Sequence, residues 1–455
     1  MILALVVITG LVASRRSVKG SNDFDTFYAA GKAVLTGEGI YYIGEYYQEK
    51  EGSPFLYPPF AALLFALFAL LPLPVAAFLW NAFTIAVFAG VLWLTYGFLG
   101  TPLKIREAWR VTPLWTRLLF LVWVTVLLLD NLSMSQINVL VLGVVLLALY
   151  FSQKSRPFLS GFVLAAAILL KVTPVFFLIY FAIQRSWKTL VGSFIALIFM
   201  TLVLPTLIFG WEANRIYHRQ WIGRALKPMM ADFLNKIQKE DIHPRKKSLE
   251  ALQYVHLGNL LTEKNQSLEG TVSRFFLKDR DYLAEHGSYP LVAAIPYKGL
   301  PVVGGGLTLP ELQQTNRILK ACFILGLALL LALPKTSSAA PMDYSLVLLT
   351  MTLLAPWVRS HQFVGWVFPL ATALYAAASA SSFPKAFAST LRFGMALSAV
   401  FYILQSVPYG KAAGFGTFAN LTLWGAFAFA ILLDYKNSRA NRRRKDDSEI
   451  RNPAI

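Results

Sequence analysis

Long apolar stretches separated by short polar turns dominate the pattern along this chain. Some stretches easily supply the roughly 20 apolar residues that a helix needs to cross a bilayer. They lie near residues 75–98, 188–210, 361–380, 388–406 and 413–433. Shorter or interrupted stretches lie near 55–72, 117–130, 137–151, 160–183, 316–333 and 343–357. The pattern therefore predicts an all-α polytopic membrane protein.

A further apolar stretch, Met1 to Ala13, opens the sequence and is followed by Arg15 and Arg16. A cleaved signal peptide would have a basic leader before the apolar part and a small-residue cleavage site after it. Neither is convincing here. We therefore expect a retained first span, with an extension of the chain upstream of this start.

The composition agrees with a membrane protein, since 56% of the 455 residues are hydrophobic and only 15% are charged. The net charge of +18 would suit a nucleic-acid partner, but its densest run, residues 436–445, directly follows the last apolar stretch. Such a run is typical of a cytoplasmic flank that contacts anionic lipid. We therefore expect the lipid bilayer, and no nucleic acid, as a partner. The lone Cys322 excludes an internal disulfide.

Working backwards from a cytoplasmic C-terminus divides the chain into four parts. Residues 1–210 form an N-terminal transmembrane catalytic module with a first external loop at 14–54. Residues 211–315 form an external (periplasmic) loop region, residues 316–435 are C-terminal transmembrane helices, and residues 436–455 are a basic cytoplasmic tail. The positive-inside rule supports this orientation. We expect a multi-pass protein of the plasma (inner) membrane with its active site on the external side.

Two topologies remain open for the first half of the chain. A plain count of twelve spans places Asp23 outside, but it also places the basic segment 104–110 outside, which the positive-inside rule disfavours. Treating 55–73 and 160–183 as re-entrant hairpins brings that segment inside and still leaves Asp23 outside. The sequence does not choose between these two topologies.

Two carboxylates, Asp23 and Asp25, stand just after the first span, where charge is costly unless it has a use. In one interpretation they cap a short amphipathic helix that runs to about Leu35. In the other, one of them is a general base for an acceptor hydroxyl, and partial desolvation raises its basicity.

Other polar residues are conspicuous against the apolar background. Lys171 interrupts an apolar stretch, which favours a phosphate or carboxylate partner over mid-span snorkelling. Arg359 and His361 lie in a tight turn and have the donors to bind a phosphate, although a lone histidine there is more often interfacial. Tyr57 fits either an interfacial aromatic belt or a stacking wall for a sugar ring. We interpret Asp130 and Asn131 as structural polar residues at the end of a span.

Several motifs occur together in a fixed order, and each is weak alone. They are Asp23-Phe24 with Phe27-Tyr28-Ala29-Ala30, Tyr57-Pro58-Pro59, Gln136-x-Asn138, Lys171-x-x-Pro174, Asn265-Gln266-Ser267-Leu268-x-Gly270 with Arg274, and Pro356 to His361. The ordered set, from about residue 21 to 370, resembles the polyprenol-phosphate-mannose-dependent mannosyltransferases. Those are membrane glycosyltransferases of the GT-C architecture.

The resemblance implies a GT-C-like helical bundle with an external loop domain. It implies transfer of a mannosyl or other hexosyl unit from a polyprenyl-phosphate sugar donor to a glycolipid or glycan acceptor, with inversion. Asp23 would be the catalytic base, with Asp25 as the substitute candidate. The candidate donor-phosphate residues are His361, Lys171, Arg274 and Arg359. The candidate substrate-binding residues are Tyr57, Gln136, Asn138, Asn265 and Gln266. No cofactor and no metal ion is expected.

Two features depart from the family pattern. Phe27-Tyr28 stands where two tyrosines are usual, and Arg359 stands where a small or neutral residue is usual. Other functions also remain open. A polyprenyl-phosphate pentose or glucose transferase would share the same chemistry. A non-catalytic lipid-linked sugar flippase or a proton-coupled transporter would use Asp23 and Lys171 as a relay pair, but the duplicated halves common in transporters are absent from this sequence.

Overall fold

The computed structural model describes residues 2–19, 22–41, 55–100, 102–223, 264–278, 306–334, 340–378 and 385–451. These residues form helices and one isolated β-bridge between Leu277 and Leu307. The predicted all-α class is therefore confirmed. Most of the predicted external loop 211–315 lies outside the described residues.

The N-terminal half begins with α1 (Ile2–Val18) and α2 (Phe24–Thr36), and its other helices follow in chain order. They are α3 (Pro59–Ala69), α4 (Leu73–Leu99), α5 (Pro102–Val111), α6 (Leu114–Ser133), α7 (Asn138–Gln153), α8 (Pro157–Leu170), α9 (Phe176–Ile183), α10 (Trp187–Ile198), α11 (Leu204–Phe209) and α12 (Trp211–Trp221). A short 3₁₀ helix, Thr173–Val175, precedes α9, and a π-helix, Phe199–Val203, joins α10 to α11.

The C-terminal half contains one helix from the loop region and the last membrane helices. They are α13 (Leu268–Phe276), α14 (Leu309–Ala332), α15 (Ala340–Leu354), α16 (Val367–Ala378), α17 (Lys385–Leu404), α18 (Pro408–Ala412) and α19 (Phe415–Arg451). A 3₁₀ helix, Ser360–Trp366, lies between α15 and α16.

Six helical segments in the described part are long and apolar enough to cross a membrane. They are Leu73–Leu99, Leu114–Ser133, Trp187–Phe209, Pro310–Ala332, Ala386–Leu404 and Phe415–Ala440. The chain is thus a multi-pass membrane protein. Four of these segments coincide with predicted long spans. The predicted span 361–380 differs, because its first residues form the 3₁₀ helix and leave α16 with only 12 residues.

The segment 160–183 folds as a hairpin of two short helices, α8 and α9. α8 and α10 run side by side in the same direction, since Gly161 closely approaches the backbone of Thr189 while Leu169 and Met200 share a cluster further along. A methyl group on Gly161 would lie 2.2 Å from the Thr189 carbonyl oxygen, so only glycine permits this approach. α9 therefore returns to the end of the molecule where α8 began. Lys171 lies at the tip of this hairpin.

The segment 55–73 likewise contains a short helix, α3, of 11 residues. α3 packs against α2, with the Phe27 and Phe65 rings stacked at 4.5 Å. α4 then runs antiparallel to α1, because Asn81 donates a 3.3 Å hydrogen bond to Ser14 while Ile85, one turn further along α4, approaches Gly10, one turn earlier in α1. α5 consequently lies at the end opposite Asp23. The helix directions of the described residues are those that the hairpin topology expects.

The two largest apolar clusters hold most of the helices together. The larger one joins α4, α6, α7, α15, α16, α17 and α19. The smaller one lies beneath Asp23 and is built from aromatic residues of α2, α3 and α4, among them Phe24, Phe65 and Trp80. Phe24 and Trp80 stack with their ring centroids 6.1 Å apart. This second cluster fixes the start of α2, and with it the backbone of Asp23.

Candidate active site

Asp23 directs its carboxylate away from its own helix. It occupies the N-cap position of α2, yet its side chain makes no capping hydrogen bond. Instead, Gln136 Nε2 donates a hydrogen bond to Asp23 Oδ2. The Asp23 backbone N–H donates to the Met134 carbonyl at 3.3 Å. The helix to about Leu35 was predicted correctly, but the carboxylate of Asp23 faces the joint between α6 and α7.

Asp25 has a different environment. Its Oδ1 accepts a hydrogen bond of 2.8 Å from the backbone N–H of Thr26, within the first turn of α2. An acidic group there also complements the free N–H groups and the dipole of the helix. The local structural interpretation therefore fits Asp25, whereas the interpretation as a general base fits Asp23.

The electrostatics of Asp23 combine opposing influences. Burial raises the pKa of its carboxyl group, while the positive charge of Arg359 and the hydrogen bond from Gln136 lower it, and the net direction is upward. Tyr57 lies close enough for Asp23 and Arg359 both to act on its hydroxyl, whose pKa is raised mainly by burial. The Tyr57 ring meets Phe27 edge-on at 5.2 Å. Asp23, Tyr57 and Arg359 thus lie around one space.

Lys171, Arg359 and His361 form what we call the basic cluster. Lys171 Nζ donates a 2.6 Å hydrogen bond to Asn138 Oδ1, and Asn138 Nδ2 donates a 3.4 Å hydrogen bond to the backbone carbonyl of His361. Burial lowers the pKa of the His361 imidazole well below its usual value, and the charges of Lys171 and Arg359 lower it further. The imidazole is therefore neutral, and the two other residues carry the positive charge.

A small, partly open pocket adjoins Lys171 and Asn138. Its polar end also includes Thr173, Thr352 and Gln362. The rest of its lining is mostly apolar, from Val141, Leu142, Val145, Leu348, Met351 and Ala355. The cavity lies between α7, α15 and the hairpin tip, so it joins Lys171 to an apolar interior.

Arg274 takes a different position from the predicted phosphate contact. It is 0% exposed, and its guanidinium donates to the carbonyl oxygens of Ala412 and Asn265, each at 2.7 Å. A guanidinium buried among backbone carbonyls presents no open face to a lipid phosphate. The physical role of Arg274 is to tie α13 to the loop before α19.

Asn265 and Gln266, predicted as substrate-binding residues, are also engaged with backbone. Asn265 Nδ2 donates to the Pro356 carbonyl at 3.1 Å, and Asn265 Oδ1 accepts from the Val358 N–H at 3.1 Å. Gln266 Nε2 donates to the Lys411 carbonyl at 2.9 Å. The structure therefore brings together Asp23, Tyr57, Gln136, Asn138 and the basic cluster. It places Asn265 and Gln266 behind the turn that carries Arg359.

Ser135 is a residue that the sequence did not single out. It is fully buried with φ of 50°, a left-handed conformation that is strained for a residue other than glycine or asparagine. Its hydroxyl accepts a 3.1 Å hydrogen bond from Asn22 Nδ2, and its carbonyl accepts one of 2.8 Å from Trp80 Nε1. It thus fixes Gln136 next to Asp23. A serine carries no sequence signal for this conformation.

Metal ligands were not expected. In the part of the chain that the structure describes, histidine, cysteine and carboxylate residues do not gather in threes at a metal-binding distance.

Comparison with known proteins shows which enzymes the chain is similar to. Residues 55–240 match the model of glycosyltransferase family 87. The polyprenol-phosphate-mannose-dependent alpha-(1-2)-phosphatidylinositol pentamannoside mannosyltransferase of Mycolicibacterium smegmatis is 32% identical over 228 residues, covering 50% of this chain and 53% of the relative. The polyprenol-phosphate-mannose-dependent alpha-(1-2)-phosphatidylinositol mannoside mannosyltransferase of Mycobacterium tuberculosis is 29% identical over 221 residues, covering 45% and 50%.

The chain spans about half the length of these two relatives. No solved structure matches it at a significant level. The resemblance predicted from the ordered motifs is confirmed. Residues 55–240 match the glycosyltransferase family 87 model, and the chain is similar to polyprenol-phosphate-mannose-dependent mannosyltransferases.

Proposed function

We propose that this protein is a membrane glycosyltransferase that moves a mannosyl unit from a polyprenyl-phosphate mannose donor to a lipid-linked acceptor. One observation carries the proposal. A carboxylate with a raised pKa, Asp23, lies opposite the exposed guanidinium of Arg359, and Lys171 and His361 adjoin it. A base facing a cluster that favours negative charge is the arrangement that transfer from a phosphate leaving group requires.

The reaction follows from these positions. Asp23 accepts the proton of the acceptor hydroxyl as the oxygen forms a bond to the anomeric carbon of the sugar. The bond between that carbon and the phosphate oxygen breaks, and the phosphate leaves with the electron pair. Lys171 and Arg359 offset its charge, and the neutral imidazole of His361 donates a hydrogen bond. A single displacement inverts the anomeric centre.

The local environment suits Asp23 for this task. An exposed aspartate is a weak base, and burial makes it a stronger one by raising its pKa. Gln136 holds the carboxylate in a single orientation. A general base must be ionised before it can accept a proton. A carboxylate that is buried but still ionised is therefore the most effective form of Asp23 in the free enzyme.

The cavity supports a lipid-linked donor. Its polar end at Lys171 would take a phosphate, and its apolar lining from α7 and α15 would take hydrocarbon. The relatives are named for phosphatidylinositol mannosides as acceptors. We propose an acceptor of the same chemical class, a glycolipid with a free mannosyl hydroxyl. We place the site on the external side of the membrane, and the basic C-terminal tail on the cytoplasmic side.

Purified protein incubated with radiolabelled polyprenyl-phosphate mannose and a crude lipid extract tests the proposal. We expect a labelled glycolipid, and no product from polyprenyl-phosphate arabinose or glucose. Absence of any labelled lipid product would overturn the transferase assignment. Activity in excess chelator is expected as well, because positive side chains supply the charge stabilisation. Loss of transfer in chelator, restored by one added divalent metal, would contradict metal independence.

A further inference from the structure

Two adjacent residues at the end of α6 hold the turn that carries Arg359 and His361, two of the three residues of the basic cluster. Asn131 is fully buried, and its Nδ2 donates a 3.2 Å hydrogen bond to the backbone carbonyl of His361, 230 positions later in the chain. The neighbouring Asp130 accepts a hydrogen bond from the side chain of Ser360. The end of α6 therefore engages two consecutive residues of the 3₁₀ helix.

Asp130 and Asn131 make contacts that come at a cost to the stability of the fold. Asp130 Oδ2 and Asn131 Oδ1 are both shielded from solvent and lack a hydrogen-bond partner among the described residues. A buried acceptor without a partner is unfavourable, and a buried charge more so. The positive charge of Lys411 acts on Asp130 through the Coulomb interaction, and it offsets the cost of burying the carboxylate only in part. An apolar pair of the same size would be less costly, so stability alone does not explain these side chains.

The contacts matter because of what lies on either side of Ser360. Arg359 precedes it and His361 follows it. Fixing the Ser360 hydroxyl and the His361 carbonyl at once removes the freedom of the turn to rotate. The directions of the Arg359 and His361 side chains are then set by the position of α6.

The same joint also holds the base. Gln136, five residues after Asn131, donates to the Asp23 carboxylate, and the Met134 carbonyl accepts from the Asp23 backbone. Asn138, at the start of α7, contacts both Lys171 and the carbonyl of His361. One short stretch of chain, residues 130–138, is thus the common reference for the base and for the basic cluster.

We propose that Asp130 and Asn131 are positioning residues, which place the basic cluster at the correct distance from Asp23 to hold the donor phosphate. They touch neither substrate and act through Ser360 and His361. This inference rests on the proposed function, because it assumes that the basic cluster binds a prenyl phosphate.

Isosteric substitutions test this role. Asp130→Asn removes the charge, and Asn131→Asp replaces the amide donor by an oxygen facing the His361 carbonyl. We expect each to raise the apparent KM for polyprenyl-phosphate mannose about ten-fold, the scale of one hydrogen bond involving a charged group, with the KM for the acceptor unchanged. A folding defect would instead lower the amount of active enzyme and leave both KM values alone. Asp343→Asn, at a buried carboxylate in the first turn of α15 at the opposite end of the molecule, is the matched control and should change neither KM.

A double-mutant cycle provides a second measurement. Ser360→Ala should raise the donor KM at least as much as Asp130→Asn, and the double variant should be no worse than Ser360→Ala alone, because both changes act on the same hydrogen bond. Additive effects would overturn the proposed route through Ser360. Unchanged donor KM in Asp130→Asn and Asn131→Asp would overturn the positioning role.

Direct binding of polyprenyl phosphate without sugar separates the two levels of inference. Wild-type protein in lipid nanodiscs should bind it, and the two variants should bind it about ten-fold more weakly. If the wild type neither binds it nor transfers sugar, the proposed function fails. If the wild type binds it and the variants bind it equally well, only the positioning role fails.

Discussion

At the scale of single residues, Asp23 and Asp25 offer a matched pair of carboxylates two positions apart. Asp23→Asn removes the proposed base at nearly constant shape, and we expect transfer to fall about 10²–10⁴-fold with donor binding retained. Asp25→Asn removes a contact within α2 and should leave most activity. Initial rates with labelled donor, alongside binding of polyprenyl phosphate, measure both. Loss of transfer in Asp25→Asn only would instead assign the base to Asp25.

The pH dependence of transfer is set by the environment of Asp23. Burial raises its pKa, against the charge of Arg359 and the hydrogen bond from Gln136. Only the ionised carboxylate accepts a proton, so activity is present above this raised pKa and is lost as the pH falls through it. Gln136→Leu removes a contact that favours the ionised form, and we expect the acid limb of kcat/KM to move to higher pH. An acid limb that stays in place or moves to lower pH would contradict the assignment of this limb to Asp23.

The residues of the site were predictable to different degrees. Asp23, Gln136, Asn138, Lys171 and His361 stand out in the sequence because polar groups in apolar surroundings are costly without a use. The loop residues Asn265, Gln266 and Arg274 were assigned to ligands, yet they bind backbone carbonyls and N–H groups. A loop sequence does not reveal whether a polar side chain turns towards a ligand or back to the chain. Ser135 was missed because its role depends on backbone conformation.

At the scale of elements, α13 is fixed by Arg274. Arg274→Lys keeps the charge, but a single ammonium does not reproduce the planar fork that reaches both carbonyls. We expect a loss of about 2–3 kcal/mol in the free energy of unfolding, with the donor KM unchanged. Thermal unfolding and donor titration measure the two effects separately. A raised donor KM at unchanged Tm would instead support a phosphate contact.

The packing of α2 on α3 depends on Gly31. A methyl group there would lie 2.4 Å from the Phe65 carbonyl carbon, which forces the two backbones apart. We expect Gly31→Ala to destabilise the protein by about 1–3 kcal/mol and to reduce transfer by displacing Asp23. Gly90→Ala is the matched control, because a methyl group on Gly90 of α4 meets open space. That change should be neutral or stabilising by about 0.5–1 kcal/mol. Equal Tm values for both variants would contradict this packing argument.

At the scale of the whole molecule, the direction of each helix determines which charges share a side. α4 runs away from Asp23, so Arg106 in α5 lies at the other end of the molecule. α19 also starts near the site, where the Gly416 N–H donates to Gln266 Oε1 at 3.0 Å. Its basic end therefore lies at the same end of the molecule as α5. Apolar length alone did not predict this, since hydropathy does not distinguish a stretch that crosses from one that returns. The positive-inside rule favoured the hairpin topology.

Single-cysteine labelling tests this arrangement. In a Cys322→Ser background, Lys19→Cys should react with a membrane-impermeant maleimide on intact cells, because Lys19 is exposed near Asp23. Arg106→Cys and Arg439→Cys should react only after permeabilisation. The twelve-span topology predicts instead that Arg106→Cys reacts on intact cells. Labelling of Arg106→Cys and Lys19→Cys from the same side would thus contradict the hairpins.

The hairpin tip at Lys171 has a consequence for how substrate supply is measured. Its ammonium group is reached from a cavity lined by membrane helices, so the proposed donor would arrive by lateral diffusion within one leaflet. The quantity that governs saturation is then the mole fraction of donor among the surrounding lipids, and the bulk molarity in buffer matters little. Adding inert phospholipid at constant total donor should slow the reaction through surface dilution.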